Sequence, residues 1–200
     1  MAISNINVAI QFSPSILKLS EFLLMLIEII PEYEISDDTH KLINQLLVES
    51  FPDYPLDRSY YKLLPQFRYL VWADNNLVAQ VGIEHRVITN NGHPVRIFGV
   101  IDLCVALSYR SQKIATKLLQ QIAELGNMGK IDFLVLFADD SRLYVENGYH
   151  KVTNICRWMK VDEHQIIGIG EESMADCMMV KKLGEKKWQD GIVDLLGYLF

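Results

Sequence analysis

The residues best suited to chemistry lie in one short segment in the middle of the chain, Val105–Thr116. An apolar run ends at Leu107 and a helical pattern begins at Ser111, so we expect a buried strand, a short loop and a helix. Such a loop directs unpaired backbone N–H groups and the positive end of the helix dipole to one point. Arg110 and Lys113 add positive charge there. The segment therefore predicts a phosphate-binding site.

The elements that position this segment follow from hydrophobic periodicity and from turn residues. The predicted strands are Leu26–Glu34, Phe67–Ala73, Leu77–Thr89, Val95–Leu107, Ile131–Ala138, Tyr149–Val161 and Asp176–Leu183. The predicted helices are one capped by Ser36 and stopped by Pro52, one over Ser111–Leu125 closed by Gly126, and one over Asp139–Asn147. Asp162–Ser173 is polar and contains glycine, which favours a loop. The order predicts a mixed α/β sheet in which hairpins precede a strand–helix–strand crossover.

Composition narrows the class of protein. The chain has 200 residues, half of them hydrophobic, a net charge of -6 and a pI of about 5.4. These values favour one globular domain and argue against nucleic-acid binding. Three widely spaced cysteines and five scattered histidines indicate neither a disulfide framework nor a metal site, so we expect a cytoplasmic protein without a metal. The apolar stretch Phe22–Ile30 is too short and too interrupted to predict a membrane span.

The segment Val105–Thr116 resembles the donor-binding signature of the GNAT acyltransferase superfamily, Val-x-Pro-x-x-(Arg/Gln)-x-x-Gly-x-(Gly/Ala). Val105, Arg110 and Ala115 match it. Leu107 replaces the usual proline, and Lys113 replaces the first glycine. A lysine at that position either crowds a bound pyrophosphate or forms a salt bridge with it.

A second element downstream strengthens the resemblance. Leu143-Tyr144-x-x-Asn147-Gly148-Tyr149 is similar to the family's Tyr-x-x-x-Gly-Phe element, although Phe137 and Asp140 replace the asparagine and alanine usual upstream. The resemblance implies a GNAT-like α/β fold: a mixed, mostly antiparallel twisted sheet with flanking helices and a central β-α-β donor-binding crossover. It assigns residues 25–184 to the acyltransferase domain and leaves 1–24 as an N-terminal extension, with Met25 as a plausible start. We expect the apolar tail 185–200 to pack on the domain or on a partner subunit, which allows a homodimer.

The family resemblance also implies the function: transfer of an acetyl or longer acyl group from acyl-CoA to a primary amine, by direct attack in a ternary complex. The donor-binding residues would be Leu103, Cys104, Val105, Arg110, Ser111, Gln112, Lys113, Ile114, Ala115 and Thr116. Tyr144 would be the general acid that protonates the departing thiolate. We expect Cys104 to be a buried, unreactive residue.

The general base stays open between two acids. An acidic residue often occupies the strand before the donor loop in this family, and Asp102 is the acid there, with Ile101 where some members carry a second one. Glu84 and His85 lie on the preceding strand and alternate, so at most one of them faces the cleft. The amine could also lose its proton to water.

Three alternatives accompany the enzyme hypothesis. Val78-Ala79-x-x-Gly82-x-x-x-Arg86 is reminiscent of the nodulation N-acyltransferase branch, which would take its acyl group from a carrier protein. A non-catalytic acyl-CoA-binding regulatory module would suit the substitution at Lys113. An interaction subunit using the apolar tail would bind no CoA at all. The acceptor pocket is expected to involve Asp53–Pro65, the strand around Glu84 and Asp162–Ser173.

Overall fold

A computed structural model describes residues 8–9 and 25–200 of the chain. The predicted N-terminal extension therefore lies outside the described residues, apart from the short strand β1 (Val8–Ala9). This strand pairs antiparallel with β2 (Met25–Pro31), Val8 opposite Ile27.

The described residues form a mixed α/β fold. The strands after β2 are β3 (Phe67–Ala73), β4 (Asn76–Asn90), β5 (His93–Val105), β6 (Phe133–Phe137), β7 (His150–Lys151), β8 (Ile155–Asp162), β9 (Gln165–Ser173), β10 (Met178–Lys182) and β11 (Ile192–Tyr198). The helices are α1 (Asp37–Ser50), α2 (Ile114–Met128) and α3 (Arg142–Glu146), with short 3-10 helices at Glu32–Glu34 and Leu107–Tyr109. The predicted fold class, a mixed and mostly antiparallel sheet with a β5-α2-β6 crossover, is confirmed. No helix among these residues is long and apolar enough to cross a membrane.

The residues divide into two compact units. The first contains residues 25–61, 66–82 and 102–115. Here β2 pairs antiparallel with β3 along its whole length, from Met25 opposite Ala73 to Pro31 opposite Phe67. Ser36 caps α1 by accepting a hydrogen bond from the Thr39 amide. The apolar face of α1 packs into a cluster that contains residues of β3 and β5: Ile43, Leu46, Leu47, Leu70 and Cys104.

The second unit contains residues 62–65, 83–101 and 116–200. Its core is a cluster of buried side chains from several strands, among them Ile88, Ile97, Phe133, Val135, Met178 and Val193. β5 pairs parallel with β6, β6 antiparallel with β10, and β10 antiparallel with β7. β11 pairs with both β4 and β8, and β8 forms a hairpin with β9.

The pairing of β5 with β6 is short. It runs from Ile97 opposite Phe133 to Gly99 opposite Val135. β5 continues beyond Gly99, and β6 continues to Phe137. The two strands of the crossover therefore stop pairing at Gly99, well before β5 reaches the donor loop.

Several predicted boundaries are wrong, each for a physical reason. The first strand ends at Pro31, because Glu32–Glu34 turns into a 3-10 helix. α2 begins at Ile114 rather than Ser111, because Ser111 and Lys113 have positive φ values of 63° and 61°. Gly126 does not end α2 but lies inside it, and glycine is needed there because a Cβ would lie 2.5 Å from Cδ1 of Leu183.

The predicted loop Asp162–Ser173 is also wrong, because most of it is the strand β9. Glu163 and His164 adopt positive φ and turn the chain back onto β8. The isoleucines of β9 (Ile166, Ile167 and Ile169) are all exposed, so the segment lacks the alternation that marks a half-buried strand. The predicted strand Tyr149–Val161 is divided into β7 and β8.

Candidate active site

The donor loop is fixed to the end of β5 by its own hydrogen bonds. The Ala106 amide donates to the Val78 carbonyl at 2.8 Å, which ties the loop to β4. Nε of Arg110 donates to the Val105 carbonyl at 3.0 Å, so this side chain folds back across the loop. The Arg110 amide donates to the Leu107 carbonyl at 3.3 Å and closes the 3-10 turn. A loop held in this way presents its remaining amides in a preformed arrangement.

The start of α2 is suited to an anion. The helix is 15 residues long and its first turn contains no acidic residue, so no carboxylate competes for the positive end of the dipole. Ser111, Gln112 and Lys113 are exposed ahead of it, whereas Ile114 is buried and anchors the first turn. Ala115 is small, which leaves the backbone accessible.

Lys113 adopts the backbone conformation that glycine would favour. Its φ is 61°, in the left-handed region, and its side chain is exposed. Leu107 is exposed as well, at 78% of its surface. The two departures from the family signature therefore place exposed side chains at the loop surface, and Lys113 adopts a left-handed backbone conformation there.

Lys113→Gly is expected to raise the free energy of unfolding by about 1 kcal/mol, because it relieves left-handed strain in a residue with a Cβ. Lys117→Gly is the matched control, since it makes the same change inside α2 and should lower stability by about 1 kcal/mol. Urea denaturation measures both. A loss of stability in Lys113→Gly would contradict the assigned conformation.

Asp102 lies at an irregular point of β5 within the first unit. Its φ is 52°, which interrupts the regular pleat of the strand. Oδ2 accepts a hydrogen bond from the Tyr54 hydroxyl at 2.6 Å, and its backbone carbonyl accepts one from the Gln80 side chain. Burial raises the pKa of the Asp102 carboxyl, and the Tyr54 hydrogen bond and the nearby Arg68 oppose that shift. Asp102 thus anchors the aromatic segment around Tyr54.

A buried ionic network surrounds Gln80 in the same unit. Arg68 is 1% exposed and donates through Nε and Nη2 to both carboxylate oxygens of Glu32, at 2.8 and 3.1 Å. It also donates to Gln80 Oε1 and to the Ser59 carbonyl, each at 2.8 Å. The network satisfies the buried charges and links β3 to β4 and to the segment that contains Ser59.

Cys104 is buried in the first unit, and burial raises the pKa of its thiol to about 12. A thiol in this state is protonated at neutral pH and is a poor nucleophile. Its position agrees with the expectation of an unreactive core residue.

Glu84 belongs to the second unit and is 1% exposed. Its Oε1 accepts a hydrogen bond from the Tyr198 hydroxyl, and Nη2 of Arg86 lies 3.3 Å from Oε2. Counted from the two-residue turn at Asn91 and Gly92, Glu84 lies opposite Gly99 on β5. Gly99 is the last residue of β5 that pairs with β6, so the buried Glu84 lies on β4 beside the point where β5 and β6 part.

His85 occupies the other face of β4. Its ring is exposed and packs edge-on against Phe98, with ring centroids 5.5 Å apart. Alternation along the strand separates it from Glu84, as predicted.

Tyr144 lies on α3 in the second unit and is half-buried. Its ring contacts that of Tyr149 at 5.8 Å and an angle of 75°. Gly148 has φ of 83°, and the Asn147 side chain donates to the Leu143 carbonyl at 2.8 Å, so the helix end is fixed. The Tyr149 hydroxyl is buried and lacks a hydrogen-bond partner within the described part of the chain, and burial raises its pKa.

Comparison with known proteins decides the family. Residues 33–152, more than half of the chain, match the model of the acetyltransferase (GNAT) domain. The chain belongs to the GNAT acetyltransferase family. It is thereby an acyltransferase. No curated protein matches it by sequence.

Three solved structures, two of them named as GNAT proteins, share the fold at low sequence identity. YhbS from Escherichia coli, described as a GNAT family N-acetyltransferase in complex with CoA, is 19% identical with a TM-score of 0.61, and the match covers 89% of this chain and 93% of YhbS. ElaA from Escherichia coli is 17% identical with a TM-score of 0.54, covering 80% of this chain and all of ElaA. A GNAT acetyltransferase from Staphylococcus aureus Mu50 is 14% identical with a TM-score of 0.51, covering 78% and 99%.

Within this GNAT chain the predicted site residues fall into the two units separately. The first unit holds Asp102 and the donor-loop residues Leu103, Cys104, Val105, Arg110, Ser111, Gln112, Lys113, Ile114 and Ala115, while the second holds Glu84, Thr116 and Tyr144. Neither Tyr54 nor Tyr198, the partners of the two candidate bases, carries a signal in the sequence that marks it as a site residue. An isolated tyrosine far away along the chain gives no local signal. In the described ranges, no group of three His, Cys, Asp or Glu side chains could hold a metal ion.

Proposed function

We propose that this GNAT enzyme transfers an acyl group from acyl-CoA to a primary amine by direct attack in a ternary complex. The observation that carries the proposal is the preformed donor loop, with left-handed Ser111 and Lys113 leading into an α2 N-terminus free of acidic residues. Loop amides and the helix dipole at this point suit a pyrophosphate. The complex of YhbS with CoA supports the choice of CoA as the carrier.

The strand leading into the loop would hold the rest of the donor. Backbone amides of Leu103, Cys104 and Val105 are assigned to the pantetheine arm and to polarising the thioester carbonyl. Arg110 holds the loop closed through the Val105 carbonyl. Lys113, exposed and cationic, is assigned an ion pair with a donor phosphate rather than a steric clash.

The reaction needs two protons to leave the acceptor nitrogen. Glu84 takes the first from the ammonium, and the neutral amine attacks the thioester carbon, forming the C–N bond. The C–S bond then breaks, the electron pair stays on sulfur, and the Tyr144 hydroxyl donates its proton to the thiolate. The second proton leaves the nitrogen and restores the Tyr144 phenol. The products are an amide, a free thiol and the proton held by Glu84.

Glu84 is preferred to Asp102 as the general base because the two carboxylates differ in their contacts and in their positions along the strands. Asp102 holds the Tyr54 segment in place. Glu84 lies opposite Gly99, the last residue of β5 that pairs with β6, and so lies where the two strands of the crossover part. Asp102 stays the competing candidate, and a pair of isosteric variants separates the two.

Glu84→Gln is expected to lower kcat for a basic amine by roughly 10², the effect of removing a general base. Asp102→Asn should keep kcat within a few-fold, because the amide oxygen can still accept the Tyr54 hydrogen bond. Steady-state release of thiol, with matched thermal unfolding curves, measures both. A large loss of kcat in Asp102→Asn together with a small loss in Glu84→Gln would instead assign the general base to Asp102.

The function itself is tested by CoA binding and by thiol release. Calorimetry with CoA, followed by acetyl-CoA and longer acyl-CoA against a panel of amines, should show binding and amine-dependent release. Binding without release for any amine would favour a non-catalytic acyl-CoA-binding module. Turnover only with an acyl carrier protein would favour the nodulation-like branch.

A further inference from the structure

We infer that Tyr198 is a positioning residue that holds the Glu84 carboxylate for proton transfer, supplied by β11 from the far end of the chain. The inference rests on the proposed function, in which Glu84 is the base. It assigns a catalytic purpose to a strand outside the residues that match the GNAT domain, which end at 152.

Two groups hold the Glu84 side chain, and they also contact each other. The Tyr198 hydroxyl donates to Oε1, and the Arg86 guanidinium lies 3.3 Å from Oε2, so each oxygen has a partner from a different strand. Nη1 of Arg86 donates to the Tyr198 backbone carbonyl at 2.7 Å. The guanidinium also lies over the Tyr198 ring, 4.3 Å from its centroid. The Arg86 guanidinium therefore contacts both the backbone and the ring of Tyr198 and holds that residue in place.

The residues at the end of β11 allow it to pack closely against Arg86 and Gly99. A Cβ at Gly197 would lie 3.1 Å from Nη1 of Arg86, so glycine lets the guanidinium approach the backbone. The Phe200 ring covers Gly99, where a Cβ would lie 2.6 Å from its Cε2, and it packs against Phe137 at 5.6 Å. These contacts place the segment Gly197–Phe200 on the face of β4 and β5 that carries Glu84.

The arrangement suits positioning rather than direct chemistry. A glutamate side chain has several rotamers, and two fixed donors select one of them, which removes the entropy of finding the reactive geometry. Burial, together with the Glu84 carboxylate, raises the pKa of Tyr198, so its phenol stays protonated and remains a donor. Stability alone would not require a buried carboxylate here, since apolar groups of similar volume pack at least as well.

The test uses two acceptors that differ in basicity. A strongly basic alkylamine is protonated at neutral pH and needs a base, whereas an amine of low basicity is already neutral. Tyr198→Phe should lower kcat roughly tenfold for the basic amine, leave the KM for acyl-CoA unchanged, and spare the neutral amine. Tyr33→Phe, at an exposed tyrosine, is the matched control and should change neither.

Two further variants distinguish positioning from folding. Arg86→Lys keeps the charge but loses the planar contact with Tyr198, and should show the same selective loss. Adding Tyr198→Phe to Glu84→Gln should cost nothing more, because the residue acts through Glu84. Equal losses for both amines, or additive losses in the double variant, would overturn the inference.

The failure of this inference is distinguishable from that of the proposed function. If the wild-type chain acylates amines and Tyr198→Phe retains its rate with the basic amine, the positioning role alone is wrong. If the wild-type chain acylates no amine, the proposed function is wrong and this inference falls with it.

Discussion

Tyr144→Phe is expected to lower kcat by about 10³ while leaving CoA affinity within twofold. A phenol that protonates the departing thiolate acts only in the transition state, so its loss reduces turnover without weakening donor binding. The ring of Tyr144 packs against Tyr149, and phenylalanine preserves that contact, so the fold should be unaffected. Stopped-flow release of thiol, together with calorimetry for CoA, separates the two quantities.

The neighbouring Tyr149 provides the matched control. Tyr149→Phe removes a buried hydroxyl that has no hydrogen-bond partner among the described residues, so it should keep kcat and raise stability by about 1 kcal/mol. The two variants make the same chemical change on rings that touch. Similar kcat values for both variants would show that Tyr144 is a packing residue.

Arg68→Met is expected to lower the free energy of unfolding by about 3–5 kcal/mol, since it leaves the Glu32 carboxylate buried without its partner. The Gln80 side-chain oxygen and the Ser59 carbonyl lose a donor at the same time. A loss of this size is a large fraction of the free energy of unfolding of an ordinary domain. Urea denaturation followed by circular dichroism measures it.

The exposed ion pair between Arg142 and Asp140 provides the comparison for the loss of stability in Arg68→Met. Arg142→Met breaks an ion pair with Asp140 in which both side chains are solvated, so it should lower stability far less than Arg68→Met does. The double variant Glu32→Gln with Arg68→Met should recover part of the loss, because the buried charge is gone. A loss in Arg68→Met no greater than in Arg142→Met would mean that the network contributes little.

Local signals in the sequence were enough for most of the central crossover. The apolar run before Leu107 and the helical stripe after it predicted β5 and α2 to within a few residues. The helix predicted over Asp139–Asn147 ends at Glu146 in the structure, and Gly148 just after it has a left-handed φ of 83°. These features depend on neighbouring residues, which is why composition and periodicity reveal them.

Long-range contacts were not predictable in the same way. Glu32 and Arg68 lie 36 residues apart, and Glu84 and Tyr198 lie 114 apart, so neither pair leaves a local pattern. Gly126 was misinterpreted for a related reason, because the need for glycine there comes from Leu183 on a distant segment. Sequence patterns therefore identified both candidate bases but not what holds either of them.

The left-handed conformation of Lys113 has a consequence for how relatives of this protein are found. A sequence pattern that insists on glycine at this position would reject the chain, although its backbone turns as a glycine would. A template defined by the torsion angles from Ser111 to Ile114 would accept it. For this chain, the backbone dihedral angles describe the donor loop better than the identity of the residue at position 113 does.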